Sequence, residues 1–344
     1  MISMSDNTQG PMKLRWLIAH QPAYLFERTA SAFAEELDKM LPGQFEIEIL
    51  KMDQYINKYG DIPELRMKPG AVAGIESPNN EIFTPVEWKD INKKWFAMFQ
   101  GMRDGKIHLS QTQVTVIGNQ YKKFLTLDLP FLFKDHDHVT RALDGEIGDE
   151  LCEELGEKMN VKGLAFTYSG GYRIVGSNNP ITSLDAMKKV DITTVSMTRK
   201  LFEKFSLNAT RRLDRSIDDT AESVENGGAI ETTYLRFAGK HVLKTNHSMF
   251  LTTILVGGPF FESLTTEQQV AFKKAAKIVA KFERKWSLED AQKYEDTAKE
   301  KGITINELSI EESTLMKGAA PAQYKSAFIH VPGSKDLVDK IKKI

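Results

Sequence analysis

The sequence is poor in cysteine. Cys152 is the only one among 344 residues, so no disulfide can close within the chain and no cysteine-rich metal site is available. Charge of one sign is lacking too: 46 Lys and Arg stand against 47 Asp and Glu. That balance supplies no basic field for nucleic acid or an anionic membrane surface. No apolar run reaches the roughly 18 residues that a membrane-spanning helix needs. The first dozen residues are polar and carry neither the basic start nor the apolar middle of a secretory leader. Two expectations fit this start: a protein that stays in the cytoplasm, or a mature form whose leader has been removed. The patterns G-x-S-x-G, H-E-x-x-H, the P-loop and G-x-G-x-x-G are all missing, which lowers the expectation of an enzyme.

What remains is a chain with enough apolar residues for a core, long enough for two domains. Residues 14–19 (LRWLIA) read as a buried strand. Over 24–40, Phe26, Ala30, Phe33, Ala34 and Leu37 recur at helical spacing. Residues 44–51 (QFEIEILK) alternate as a half-buried strand does. The chain therefore opens β-α-β, the start of an α/β sheet. Residues 60–85, rich in Gly and Pro, read as a long loop. A helix is expected over 87–103, with Trp88, Ile91, Trp95, Phe96 and Phe99 on its apolar side, then a strand over 107–116. The dense run 127–133 (LDLPFLF) is interrupted by Pro130, and 135–159 reads as one helical region. A strand over 161–168 leads to Ser169-Gly170-Gly171, a hinge-like stop. Then come a strand at 191–195, helices at 197–205 and 216–226, and a long strand at 247–256. The longest helical pattern, 265–301, has a capping start at Thr265 and a stop at Gly302. At about 1.5 Å per residue it exceeds 50 Å, enough to pass between two lobes.

Candidate chemistry is sparse. His136-x-His138 has no third ligand type nearby, so a surface pair at a helix start is the expectation, with Asp135 and Asp137 serving the helix N-terminus. Arg173 follows the glycines and precedes an apolar strand. A guanidinium there can point into a cleft and hold a carboxylate by two parallel hydrogen bonds, and the same position suits a structural ion pair. His20 and Gln21 after the first strand, Gln113 near the end of the 107–116 strand, and Tyr168 before the glycines lie where open α/β sheets bind ligands. Each also suits a satisfied surface or core group.

Several segments, in order, resemble one family. They are 33–37 (FAEEL), 100–107 (QGMRDGKI), 127–133 (LDLPFLF), 139–145 (VTRALDG), Gly171-Tyr172-Arg173, Ser183-Leu184-Asp185 and Thr245-Asn246-His247. Over roughly 14–310 the chain resembles the substrate-binding proteins of tripartite ATP-independent periplasmic (TRAP) transporters, the DctP-like family. The resemblance implies a two-lobed α/β periplasmic-binding-protein fold of the type II kind, with a long helix bridging the lobes. On it, residues 11–170 and 251–299 form one lobe, and 171–250 and 300–344 the other. It implies that Arg173 pairs with a substrate carboxylate. Thr193 or Thr194 stands near the place where the family often has a second arginine. Residues 228–234 replace a family segment and lack its usual asparagine, so Glu231 and Tyr234 join the expected ligand-binding set, and the solute is expected to be carboxylate-bearing and open to an aromatic or less acidic kind.

The function implied is capture of a small organic solute by cleft closure and delivery to membrane permease subunits. The location implied is periplasmic, with the leader removed. No cofactor, metal, catalysis or nucleic-acid partner is expected. The alternatives are a binding protein feeding a sensor, a cytoplasmic enzyme on a related α/β fold, and an interaction module with no ligand.

Overall fold

Two sheets organise the chain. The computed structural model describes residues 10–20, 23–62, 65, 88–194, 197–211, 223–226 and 240–344. The first sheet runs β2 (Phe45–Lys51), β1 (Met12–Ile18), β3 (Leu109–Gln113), β10 (Met249–Gly257), β4 (Val161–Tyr172). Strands β1, β2 and β3 are mutually parallel, and β10 runs antiparallel between β3 and β4. The second sheet runs β11 (Thr304–Glu307), β9 (His241–Lys244), β5 (Ile174–Ser177), β8 (Ser223–Asn226), β6 (Asp191–Thr194), β7 (Asn208–Arg211). Each sheet is covered on both faces by its own apolar core, the layered arrangement of an α/β protein.

The β-α-β opening forms as expected. Helix α1 (Ala23–Met40) buries Phe26, Ala30, Phe33 and Leu37 on one face, and Phe33 meets Trp16 of β1 edge-on at 5.2 Å. The long helix is Thr266–Glu300. Thr265 Oγ1 accepts from the Gln268 amide, and Gln268 Oε1 accepts from the Thr265 amide, a reciprocal cap. Its first half buries Ala271, Phe272, Ala275, Ala276, Val279 and Ala280 against the first sheet. Its last turns place Ala298 in a core with Ile174, Val242 and Ile303 of the second, where Glu295 also holds Lys244 at 2.7 Å. The helix thus belongs to both lobes.

Three local expectations differ from the structure. The strand expected over 107–116 ends at Gln113, and the β-branched run that follows is helix α4 (Val114–Gln120). Val114, Val116 and Ile117 are buried there, and tertiary packing outweighs their strand preference. The region 135–159 is two helices, α5 (His136–Leu143) and α6 (Glu146–Met159), parted at Asp144-Gly145. Residues 223–226, expected to end a helix, form β8, because β5 and β6 pair with it on either side. The loop expected at 60–85 lies mostly outside the described residues.

Neither histidine of the H-x-H pair is a surface group. His138 is fully buried, with Nε2 2.9 Å from the Ile341 carbonyl. His136 is half-buried against Tyr168 and Tyr172, and burial holds its pKa below the usual imidazole value. Asp135 caps α5 as expected, accepting from the His138 amide at 2.7 Å.

The end of the chain contributes to the cores of both sheets. Helix Ile310–Ala319 adds Met316 and Ala319 to the second core. Helices Pro321–His330 and Ser334–Lys342 instead pack Tyr324, Ala327, Leu337, Val338 and Ile341 into a core of the first sheet.

Gly171 shows how tightly the join is built. Its φ is +87°, and a Cβ there would lie 2.8 Å from Leu288 Cδ2. Gly171→Ala is expected to destabilise the protein by about 1–3 kcal/mol, from left-handed strain plus a crowded contact. Urea denaturation measures it; an unchanged midpoint would show that the join adapts freely.

Candidate functional site

Strand β4 leaves the first sheet and becomes β5 of the second after a single residue, Arg173. The chain returns through 245–248, between β9 and β10. The two crossings are tied together, with the Arg173 amide donating to the Ser248 carbonyl at 2.8 Å. A third segment joins them: the Phe131 amide donates to the His247 carbonyl at 2.6 Å, with Phe131 at φ +54° and Asn246 at φ +46°. Non-glycine residues held in this region mark over-determined, often functional, backbone. The strand does not stop at the hinge-like glycines; it runs through Gly170 and Gly171, both at positive φ, up to Tyr172.

The Arg173 side chain turns inward, 2 % exposed. Its Nη2 donates to Asp128 Oδ1 at 3.1 Å, and Asp128 is itself fully buried. The guanidinium lies over the Phe250 ring, 4.3 Å from its centroid. Among the described residues, the buried Nε–H finds no hydrogen-bond acceptor. Removing two charges from water costs several kcal/mol each, and one contact between them offsets only part of that. A guanidinium carries five donors, and one held on a single edge keeps others with which it can bind an anion.

The other expected residues are distributed as follows. His20, at the end of β1 and 8 % exposed, stands among Phe26 (5.2 Å between ring centroids), Phe250 (5.9 Å) and Trp95 (6.1 Å). Phe250 therefore links His20 to Arg173. Thr193 and Thr194 close β6 and are buried, and among the described residues neither hydroxyl has a hydrogen-bond partner. Because β6 is parallel to β8 and β8 antiparallel to β5, Thr194 sits at the same end of the second sheet as Arg173. Gln113 is half-buried at the junction of β3 and α4. Tyr168 packs in the first core, with its hydroxyl 3.2 Å from His136 Nδ1, and burial pushes the phenol well above its usual pKa. Gln21, Glu231 and Tyr234 lie outside the described residues.

Sequence reasoning did not single out Asp128 or Phe250. A signal for Asp128 existed: it is the one charged residue within the run LDLPFLF, and a carboxylate in such surroundings needs a cation. Phe250 carried none, because an aromatic in a strand is ordinary core. Among the described residues, no group of three or more His, Cys, Asp or Glu converges to hold a metal ion, and no helix is long and apolar enough to cross a membrane.

The model of the bacterial extracellular solute-binding proteins, family 7 (DctP), matches residues 93–330. A relative in Escherichia coli, the 2,3-diketo-L-gulonate-binding periplasmic protein YiaO, is 25 % identical over 260 residues, which is 72 % of this chain and 77 % of that protein. A TRAP periplasmic solute-binding protein of Chromohalobacter salexigens, solved with bound D-glucuronate, superposes with a TM-score of 0.73 at 19 % identity, covering 96 % of this chain and 99 % of that one. Another, from Desulfovibrio desulfuricans with bound sn-glycerol-3-phosphate, gives a TM-score of 0.74 at 16 % identity, covering 96 % and 97 %. These likenesses give the chain the two-lobed fold of such proteins.

Proposed function

The chain belongs to the bacterial extracellular solute-binding proteins of family 7, and from that premise we propose that it captures a small carboxylate-bearing solute between its lobes, outside the cytoplasmic membrane, and hands it to membrane permease subunits. The observation that carries the carboxylate is Arg173: a buried guanidinium at a one-residue crossing, oriented by Asp128 and with Nε–H unused. The solutes of those three relatives are 2,3-diketo-L-gulonate and D-glucuronate, which carry a carboxylate, and sn-glycerol-3-phosphate, which carries a phosphate; all suit a guanidinium fork. The unpartnered hydroxyls of Thr193 and Thr194 favour a solute bearing hydroxyl groups. A second reading, a carboxylate on an aromatic body, is favoured by the ring wall of His20, Trp95 and Phe250.

We assign β1–β4, β10, most of the long helix and residues 321–344 to one lobe, and β5–β9, β11 and helix Ile310–Ala319 to the other. Closure about the crossings at 173 and 245–248 then buries the solute. The protein performs no chemistry on it; turnover of a captured solute followed by NMR would overturn that part.

A thermal-shift screen across sugar acids, dicarboxylates and aromatic acids, with mass spectrometry of any co-purified solute, tests the reading. A carboxylate that raises the melting temperature in proportion to the logarithm of its concentration is the expected result. Stabilisation by neutral sugars alone would sink it.

A further inference from the structure

The long helix meets the first sheet in two layers. Leu109, Ile254 and Ala165 pack on Ala276, Val279 and Ala280 in an apolar layer. Two residues along each strand, on the same face by the period of a strand, come Gln111, Thr252 and Thr167. One turn on along the helix comes Glu283, fully buried. Gln111 Nε2 donates to Thr167 Oγ1 at 2.8 Å and to Thr252 Oγ1 at 3.2 Å. The two hydroxyls lie 2.5 Å apart, and Thr252 donates onward to the Tyr168 carbonyl. With the Thr167 hydroxyl donating to Thr252, every hydrogen of this cluster is used. Among the described residues, two buried acceptors are left without a donor, Gln111 Oε1 and Glu283 Oε1, and the two side chains lie within hydrogen-bonding reach of each other. One added proton satisfies both.

The same stretch of helix completes an open strand edge. Among the described residues β4 pairs only with β10, and its other edge has no strand neighbour. There Arg284 Nη1 donates to the Phe166 carbonyl at 2.8 Å, the Tyr168 amide donates to Glu283 Oε2 at 2.8 Å, and the Gly170 amide donates to Ser287 Oγ at 2.6 Å. Residues 166, 168 and 170 present their backbone groups on one side, as alternate residues of a strand must. Three helix side chains thus take the place of a neighbouring strand just before the crossing at Arg173.

We infer that Glu283 is held as a neutral carboxylic acid that donates its proton to Gln111, and that this acid locks the long helix to β4 immediately ahead of the crossing between lobes. The groups around it support neutrality. Arg284 on the same helix is committed to Asp144 through two contacts of 3.0 and 2.6 Å. Tyr168 of β4 offers its amide, and the phenol beyond it stays protonated. From α1, Arg28 lies over Trp286 and faces Asp290. Burial raises the Glu283 pKa to about 8, against the lowering effects of the Tyr168 amide and Arg284. A Gln111 amide donating to the carboxyl would lower it further, but both hydrogens of that amide are committed to Thr167 and Thr252, so the bond to Glu283 runs from the acid. Ionisation breaks the Gln111 bond and puts an uncompensated charge at the lock, so closure becomes pH-sensitive near that value. The inference does not depend on the identity of the solute.

The test begins with the native protein and infrared spectroscopy. A C=O stretch of a protonated carboxylic acid is expected at neutral pH, lost as pH rises through about 8 and missing in Glu283→Gln. Its absence from the native protein overturns the inference and indicates a rotated Gln111 amide donating to a carboxylate. Urea midpoints give the second arm. An acid whose folded pKa is raised contributes stability that is full below its unfolded value and lost as pH rises through the folded one. The native midpoint should therefore fall between about pH 5 and about pH 9, and Glu283→Gln should flatten that fall. An equal fall in both proteins overturns the assignment to Glu283.

Discussion

Arg173→Met is expected to lose about 30-fold to several thousand-fold in solute affinity, equivalent to about 2–5 kcal/mol. The substitution keeps most of the apolar stem and its packing on Phe250, and removes the charge and all five donors. A bound carboxylate would then be buried with no cation opposite. Isothermal titration with the solute found by screening measures the loss, and Arg173→Lys separates charge from fork geometry. A lysine supplies the charge but not two parallel hydrogen bonds, so it should recover only part of the affinity. Unchanged affinity in Arg173→Met would remove Arg173 from the site.

Asp128→Ala should be the most destabilising single change around the crossing, by about 3–5 kcal/mol, because it strands a guanidinium that is 2 % exposed. The expected signature is a double-mutant cycle. Asp128→Asn combined with Arg173→Gln should cost clearly less than the two single changes added together, since neither then leaves a buried charge alone. Additive effects would mean the 3.1 Å contact contributes little beyond shape. Asp128→Asn should also change solute affinity, because the carboxylate orients the guanidinium and offsets part of its charge. Stability and affinity are read separately, so a folding defect cannot pass for a binding one.

Much of this molecule was legible in its order of residues. The apolar stripe of α1, the alternation in β2 and the capped start of the long helix follow from periods and end signals that act over a few residues. Arg173 stood out because it follows two glycines and precedes an apolar strand. Less legible were places where distant segments outvote local preference. Val114-Thr115-Val116-Ile117 looks like strand and is helix. Residues 223–226 look like the end of a helix and are a strand, because two neighbours offer them hydrogen bonds. Pairing energy between strands is a property of the partner, and the partner lies far along the chain.

The sequence by itself determined the class of fold, the bridging helix, the family and the arginine at the join, because each is written in short-range periodicity or in an ordered set of motifs. Only the tertiary structure decided what that arginine faces. Asp128 is 45 residues away, Phe250 belongs to another strand, and the Glu283 lock joins residues as much as 172 positions apart in the chain, from Gln111 to Glu283. A buried polar group takes its character from whatever desolvates and pairs it, and those neighbours are set by how the two sheets and the long helix come together.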